Sequence, residues 1–130
     1  MNLLLDTHVW LWSLLDPSRI TARTRELLTG AENELWLSPI SAWEALMLVE
    51  RGRLVVRGDG PEWVASAWRS GPFREAPLTF EVAVASRRLP VPVKDPADRF
   101  LAATASVYGC TFVTADRRLA AIPGVEVLKA

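Results

Sequence analysis

Cysteine is almost absent from the sequence, with Cys110 as its single example. One cysteine cannot form a disulfide within the chain, and it cannot build a cysteine-based zinc cluster. The fold must therefore be stabilised by packing and hydrogen bonds alone. A chain of this kind is compatible with a reducing compartment, and we expect a cytoplasmic protein.

The sequence also lacks a long apolar segment without charge. Asp6 and His8 interrupt the apolar residues of the first 15 positions, and no basic leader precedes them, so we do not expect a signal peptide. No later stretch is long enough and free enough of charge to span a bilayer. We expect no membrane association.

There is no excess of charge of either sign, because 15 Lys and Arg residues balance 15 Asp and Glu residues. An overall basic field therefore gives no reason to predict a nucleic-acid partner, and any such partner must be inferred from local patches. Lysine occurs only at Lys94 and Lys129, so the positive charge is almost all arginine. Arginine suits bidentate phosphate binding, although codon bias gives the same composition.

The composition that remains is typical of a folded protein. Half of the residues are apolar and 23% are charged, which is too apolar for intrinsic disorder. A chain of 130 residues has the length of one ordinary domain, and no internal repeat or low-complexity segment divides it. We expect a single domain over residues 1–130.

Short apolar runs alternate along the chain with segments of helical spacing. Strands are predicted at 3–5, 35–37, 111–113 and 125–128, and helices from about residue 7, after Thr21, from Ser38 to near Gly52, around 63–68, at 80–88, at 96–109 and after Asp116. Repeated strand–helix units predict an α/β fold around a mainly parallel sheet. Ligands of such sheets bind beyond the carboxyl ends of the strands.

Four acidic residues fall at that edge of the predicted sheet: Asp6, Glu44, Asp98 and Asp116. Each has a structural alternative, because carboxylates are favoured at helix N-termini. Residues 41–44 (SAWE) fit a capping box, with Glu44 in the first turn of its helix. Residues 95–98 (DPAD) likewise fit an N-cap, a proline at N1 and an acid at N3.

A catalytic role is therefore inferred from the four acids together and not from any one of them. Carboxylates gathered at one edge repel one another, so at least one should have a raised pKa. Mg²⁺ or Mn²⁺ relieves that repulsion through oxygen ligands, and magnesium commonly uses only one or two carboxylates. Metal-assisted attack of water on a phosphodiester is the reaction that such a site favours.

Four segments together resemble the successive blocks of VapC-type PIN-domain toxins. They are residues 3–8 (LLLDTH), 38–44 (SPISAWE), 95–99 (DPADR) and 114–117 (TADR). No single block is specific, but their order and spacing match across essentially the whole chain. The resemblance implies a three-layer α/β/α fold and a Mg²⁺- or Mn²⁺-dependent endoribonuclease that a cognate antitoxin inhibits.

By position, the resemblance makes Asp6 and Asp98 the leading metal ligands, with Asp116 completing the site. Glu44 would bind metal or position the attacking water through it. Asp95 is a fifth acid, which we expect to act chiefly as the N-cap of the following helix.

Several other side chains flank these acids. Thr7 and Thr114 have hydroxyls that would orient a carboxylate, with helix capping as the alternative. Arg99 would bind RNA phosphate near the metal, and Arg117 and Arg118 are weaker candidates because ion pairs with the acids are the alternative. His8 is the only histidine, and we expect it to pack or orient rather than catalyse.

Six tryptophans are many for this length. Trp43 shares helical spacing with Leu46 and Met47, so core packing is its first explanation. Trp63 and Trp68 are five residues apart and so do not share one tight face. The family resemblance suggests an antitoxin tail or a homodimer surface in this region.

Three other readings remain open. A receiver-type phosphorylation domain would have a pair of acids at the end of the first strand, where Asp6 is followed by Thr7 and His8 instead. A haloacid-dehalogenase phosphatase would have an acid at position 8. A PIN-like domain that binds RNA or protein without hydrolysis is the third alternative, and the presence of all four acids argues against it.

Overall fold

Five parallel strands form the centre of the protein in the computed structural model, which describes residues 1–130. The strands are β1 (Asn2–Leu5), β2 (Glu34–Leu37), β3 (Phe73–Glu75), β4 (Thr111–Thr114) and β5 (Val127–Lys129). Their order in the sheet is β3-β2-β1-β4-β5. The chain builds outward from β1 in one direction and returns to its other side with β4, so the carboxyl ends of β1 and β4 flank a topological switch point.

Six α-helices and two 3-10 turns connect the strands. The helices are α1 (Thr7–Leu15), α2 (Ala22–Thr29), α3 (Pro39–Glu50), α4 (Gly60–Ser70), α5 (Phe80–Arg88) and α6 (Pro96–Tyr108), and the turns are Pro17–Arg19 and Arg117–Leu119. The longest helix, α6, has 13 residues. None of these helices combines the length and the apolar character that a membrane crossing requires.

Two hydrophobic cores lie on opposite faces of the sheet, because alternate residues of each strand point to opposite sides. Leu3 and Leu5 belong to the core that α1, α3 and α4 cover. Leu4 and Phe112 belong to the core that α6 covers on the other face. The central strands are therefore buried on both faces, which confirms the predicted three-layer α/β/α fold.

The predicted elements are confirmed with two omissions and one shifted boundary. Strand β3 was not predicted because its sequence, FRE, has no apolar alternation, and it forms by parallel pairing with β2. The first 3-10 turn, Pro17–Arg19, was also missed. The last strand begins at Val127, since Val125 forms an isolated antiparallel bridge with Ile122.

The predicted capping box at residues 41–44 is wrong. Ser38 is the N-cap of α3, and its hydroxyl accepts a hydrogen bond from the Ile40 N–H at 3.1 Å. Pro39 takes the first helical position, where a missing N–H costs nothing, so the helix starts three residues earlier than a cap at Ser41 would require. Glu44 consequently lies in the second turn and is not a capping residue.

Helix α6 starts and ends as predicted. The Asp95 carboxylate accepts hydrogen bonds from the N–H groups of Ala97 at 2.9 Å and Asp98 at 3.3 Å, which confirms that Asp95 is the N-cap. Gly109 ends the helix in the left-handed region at φ 66°, a conformation that glycine adopts without steric cost.

Candidate active site

Asp6 lies directly after β1, at the N-cap of α1, and only 8% of it is exposed. One carboxylate oxygen accepts from the Thr7 N–H at 2.8 Å, and the other accepts from the Thr114 hydroxyl at 2.6 Å. Burial raises the pKa of Asp6, while these two hydrogen bonds oppose the shift. The carboxylate is therefore held in one orientation at the switch point of the sheet.

Thr7 holds a second carboxylate as well. Its hydroxyl donates to Glu44 Oε1 at 2.6 Å and also contacts the buried Ser41 hydroxyl at 3.0 Å. Helix α3 thus presents Glu44 towards the start of α1, beside Asp6. Burial raises the pKa of Glu44, and the nearby charges of Asp6 and Asp95 raise it further.

Asp98 occupies the first turn of α6 and lacks the hydrogen bonds that Asp6 and Glu44 receive. Its N–H donates to Asp95, but its carboxylate accepts nothing from the protein. Burial, followed by the charges of Asp6, Asp95, Glu44 and Asp116, raises the pKa of Asp98 to about 7. This agrees with the expectation that at least one of the clustered carboxyls has a raised pKa.

Asp116 follows β4 and differs electrostatically from the other three acids. Arg118 binds both of its oxygens, with Nε 3.1 Å from Oδ1 and Nη2 2.7 Å from Oδ2. This ion pair lowers the pKa of Asp116. The Thr114 hydroxyl, which donates to Asp6, also accepts from the Asp116 N–H at 3.1 Å, so one threonine orders both acids.

These side chains line one open cleft of about 350 Å³ at the carboxyl ends of β1 and β4. The lining residues are Asp6, His8, Trp12, Glu44, Asp95, Asp98, Ala115, Asp116 and Arg118. All five predicted acids are therefore brought together. Arg118 is the only arginine or lysine of the lining, so the cleft carries an excess of negative charge.

The donor chemistry of the cleft fits a hard divalent cation. Its polar lining is dominated by carboxylate oxygens, and the unpartnered Asp98 carboxylate lies among like charges that a cation would relieve. No three of these side chains already surround a common point as closely as a metal ion requires. Mg²⁺ commonly takes only one or two carboxylates and keeps several waters, so the set of residues still suits it.

The structure also locates the histidine and the tryptophans that the sequence singled out. Trp43 is 55% exposed and does not lie in the core, because the buried face of α3 carries Ser41 and Ala45 and Trp43 points away from it. His8 and Trp12 line the cleft, and their ring centroids are 5.7 Å apart. The position of His8 in the first motif was the only sequence signal for its place in the cleft. Trp63 and Trp68 both pack against the first core.

The predicted phosphate-binding role of Arg99 is also corrected. Its guanidinium turns away from the cleft and donates to four backbone carbonyls, those of Ser86, Leu89, Val91 and Val93, at 3.0 to 3.3 Å. These carbonyls belong to the end of α5 and to the proline-rich connector, where they have no helical or strand partners. Arg99 therefore holds the connector against α6.

Replacing Arg99 by methionine should destabilise the fold without a direct effect on chemistry. We expect the free energy of unfolding to fall by about 2–4 kcal/mol, because several carbonyls lose a charged donor. Urea denaturation measures this, with Arg87→Met, an exposed arginine of α5, as the control. A stable Arg99→Met protein that had lost RNA cleavage would instead support the predicted role of Arg99 in binding substrate.

Comparison with known proteins identifies the family of the chain. The family model of the PIN domain matches residues 3–125. Ribonuclease VapC22 of Mycobacterium tuberculosis is 33% identical over 119 residues, which cover 91% of this chain and 89% of that protein.

Solved structures of low sequence identity share the fold. VapBC2 of Rickettsia felis, bound to a DNA fragment from its promoter, has a TM-score of 0.73 at 14% identity and covers 99% of this chain and 98% of its own. FitAcB of Neisseria gonorrhoeae has a TM-score of 0.66 at 22% identity, with 98% and 96% covered. From the matched length of the family model and the identity to a VapC ribonuclease, the chain belongs to the PIN-domain family and is of the VapC type.

Proposed function

We propose that this protein is a divalent-metal-dependent endoribonuclease that acts as the toxin of a toxin–antitoxin pair. The observation that carries the proposal is Asp98, a carboxylate without a hydrogen-bond donor whose pKa is raised to about 7 among four other acids. A purely structural carboxylate would be expected to have a donor or a cationic partner. The relation to Ribonuclease VapC22 supports RNA as the substrate.

Asp6 and Asp98 would be the leading ligands of Mg²⁺ or Mn²⁺, with Asp116 completing the set and Glu44 binding the ion or positioning the attacking water. When bound, the ion would supply Lewis-acid stabilisation of the phosphate and make water a better nucleophile. Thr114 fixes the orientation of Asp6, and Thr7 fixes that of Glu44. Glu44 keeps one oxygen without a protein donor, whereas both oxygens of Asp6 accept a hydrogen bond and would bind the ion through their remaining lone pairs.

Arg118 opposes ligation by Asp116, because it occupies both oxygens of that carboxylate. The arginine is 67% exposed, so its ion pair is screened by solvent and weak. It can therefore leave Asp116 at little cost and contact a phosphate oxygen of the substrate instead. Contact between Arg118 and the substrate is part of the proposal. We also propose that Thr7, Thr114 and Asp95 support the metal-binding carboxylates without binding the ion themselves.

The partners proposed are an antitoxin protein and a second copy of the chain. The structural neighbours from Rickettsia felis and Salmonella typhimurium are VapBC proteins, which supports an antitoxin as a partner of this chain. An acidic cleft is complementary to a basic side chain of such a protein, which would displace metal and RNA together. A homodimer is proposed from the family relation.

The test is cleavage of a single-stranded RNA by the purified chain. We expect cleavage with Mg²⁺ or Mn²⁺, none in EDTA, and products with 5′-phosphate and 3′-hydroxyl ends, because water rather than the ribose 2′-hydroxyl attacks phosphorus. The ends are identified by their susceptibility to a 5′-phosphate-dependent exonuclease. Full activity in EDTA, or products with cyclic phosphate ends, would contradict the mechanism.

A further inference from the structure

A second groove, of about 510 Å³, adjoins the acidic cleft beside α1. His8 and Trp12 line both cavities, so the two lie side by side. The lining of the second groove combines apolar side chains of α1 and α3 with Arg19 and Arg53. We call this cavity the arginine groove. Its cationic character contrasts with the excess of negative charge in the cleft beside it.

Arg19 forms a cation–π contact with Trp12. Its guanidinium carbon lies 4.6 Å from the centroid of the indole ring, and His8 approaches the same ring from the cleft. The 3-10 turn that carries Arg19 is held by Arg25, whose guanidinium donates to the carbonyls of Pro17 at 2.8 Å and Ile20 at 3.0 Å. The residue that contacts Trp12 therefore lies on a fixed turn.

Arg53 is positioned by the end of α3. Its N–H donates to the Leu48 carbonyl and the Gly52 N–H donates to Val49, which together form a Schellman motif. Gly52 has φ 68°, the left-handed conformation that this motif requires. Because the motif fixes the backbone at the C-terminus of the helix, Arg53 enters the groove from a defined point.

Neither arginine has a carboxylate partner. The ion pairs of the protein are Arg74–Glu34 and Arg118–Asp116, and neither includes Arg19 or Arg53. Asp16 also lines the groove, but its carboxylate accepts a hydrogen bond from the Ser18 hydroxyl. Both guanidinium groups are exposed and so remain available to an anionic ligand.

We propose that the arginine groove binds the single-stranded RNA next to the bond that is cleaved. One base would stack on the Trp12–Arg19 pair, and Arg53 would bind a phosphate of the same strand. This inference rests on the proposed function, since it takes the cleaved phosphate to lie among the acids. It assigns substrate positioning to Trp12, Arg19 and Arg53.

Electrostatics favours RNA as the occupant. A polyanion that enters the acidic cleft gains no attraction from the carboxylates themselves, so positive charge next to the cleft must hold the strand. Unpaired bases stack on aromatic rings and on guanidinium planes, and the Trp12–Arg19 pair supplies both surfaces in one place. A protein segment is the competing occupant, and the experiment below separates the two.

The test measures binding without cleavage. Asp98→Asn protein, without divalent metal, is titrated into a short fluorescein-labelled single-stranded RNA of mixed sequence, and fluorescence polarisation is followed at several salt concentrations. Arg19→Gln, Arg53→Gln, their combination and Trp12→Leu are each introduced into this background. Arg87→Gln is the matched control, because Arg87 is an exposed arginine of α5, which packs against α6 on the other face of the sheet.

Loss of stacking in Trp12→Leu should weaken binding roughly tenfold and leave the salt dependence unchanged. Loss of a phosphate contact in Arg53→Gln should lower the slope of log affinity against log salt by about 0.7. The double arginine variant should show both effects, and Arg87→Gln neither. Circular dichroism checks the fold of Trp12→Leu, while the arginine variants change only exposed side chains.

Equal RNA affinity in the double arginine variant and in Arg87→Gln would overturn the inference. It would also be overturned if the double variant bound RNA normally but no longer bound its co-expressed antitoxin, since the occupant would then be protein. These results are independent of catalysis. A wild-type chain that fails to cleave RNA with metal, while its groove variants still lose RNA binding, would refute the proposed function and support the groove.

Discussion

Replacing Asp98 by asparagine is expected to lower the rate of RNA cleavage by about 100-fold or more. Several kcal/mol of metal-based stabilisation depend on this carboxylate, and each 1.4 kcal/mol or so is worth tenfold in rate. Asparagine keeps the shape of the side chain and removes its charge. The rate is measured by single-turnover cleavage of a labelled RNA in saturating Mn²⁺.

Glu62→Gln supplies a matched control for this variant. Glu62 stands at the third position of α4, after the Asp59 cap and next to Pro61, just as Asp98 stands at the third position of α6. It is exposed and does not line the acidic cleft. Both changes remove one negative charge from the first turn of a helix, but only Asp98→Asn should lower the cleavage rate by about 100-fold or more. Equal activity in both variants would exclude Asp98 from the metal site.

The second large effect concerns stability. The folded-state pKa of Asp98 is raised to about 7 from an ordinary value of 3.8, so the folded protein binds this proton more tightly than the unfolded chain. The contribution of Asp98 to the free energy of unfolding should therefore fall as the pH rises from about 4 through about 7. Asp98→Asn should remove this dependence and be at least as stable as the wild type above pH 7 in EDTA.

A bound metal ion should offset the loss of stability that the ionised Asp98 carboxylate causes. An ion that binds only the folded state stabilises it by roughly 2.7 kcal/mol at 100 times its dissociation constant, which corresponds to a rise of several degrees in Tm. Thermal melts of the wild type and of Asp98→Asn, with EDTA and with Mn²⁺, measure both effects. The variant should lose most of the shift that Mn²⁺ produces.

The same thermal melts distinguish a metal-binding role of Asp98 from a role in stabilising the N-terminus of α6. If Asp98 served mainly the dipole of α6, then Asp98→Asn would be less stable in EDTA by about 0.3–1 kcal/mol. Glu62→Gln, which has only the helix-terminal role, should show that small loss. A clear loss of stability in Asp98→Asn at pH 8 would favour the structural explanation of this acid.

The sequence alone predicted where the acids lie in the fold. Apolar runs ending at Asp6 and near Asp116 indicated strands, and the Asp95–Pro96 pair marked the start of α6, because these signals depend on residues close together in the chain. Parallel strands bring their carboxyl ends to one edge, so a common location for the acids followed from the fold class. Helix boundaries were less certain, and Glu44 proved to lie one turn deeper in α3 than predicted.

Contacts between distant segments were decided only by the tertiary structure. The sequence made Thr7 a candidate for orienting a carboxylate, but not for orienting Glu44, which lies 37 positions away. Arg99 stands next to a site acid in sequence and still turns to the carbonyls of the connector, since successive side chains of a helix point in different directions.

By itself, then, the sequence determined the family, the set of acids and the order of the elements apart from β3 and the first 3-10 turn, since local patterns encode them. Tertiary packing decided that Asp6 and Glu44 receive threonine hydroxyls and that Asp98 receives no donor, whereas Asp116 pairs with Arg118 only two positions along the chain. The pKa values of Asp6, Glu44 and Asp98 follow from these donors and from burial, and both depend on residues that meet only after the sheet and its helices have assembled.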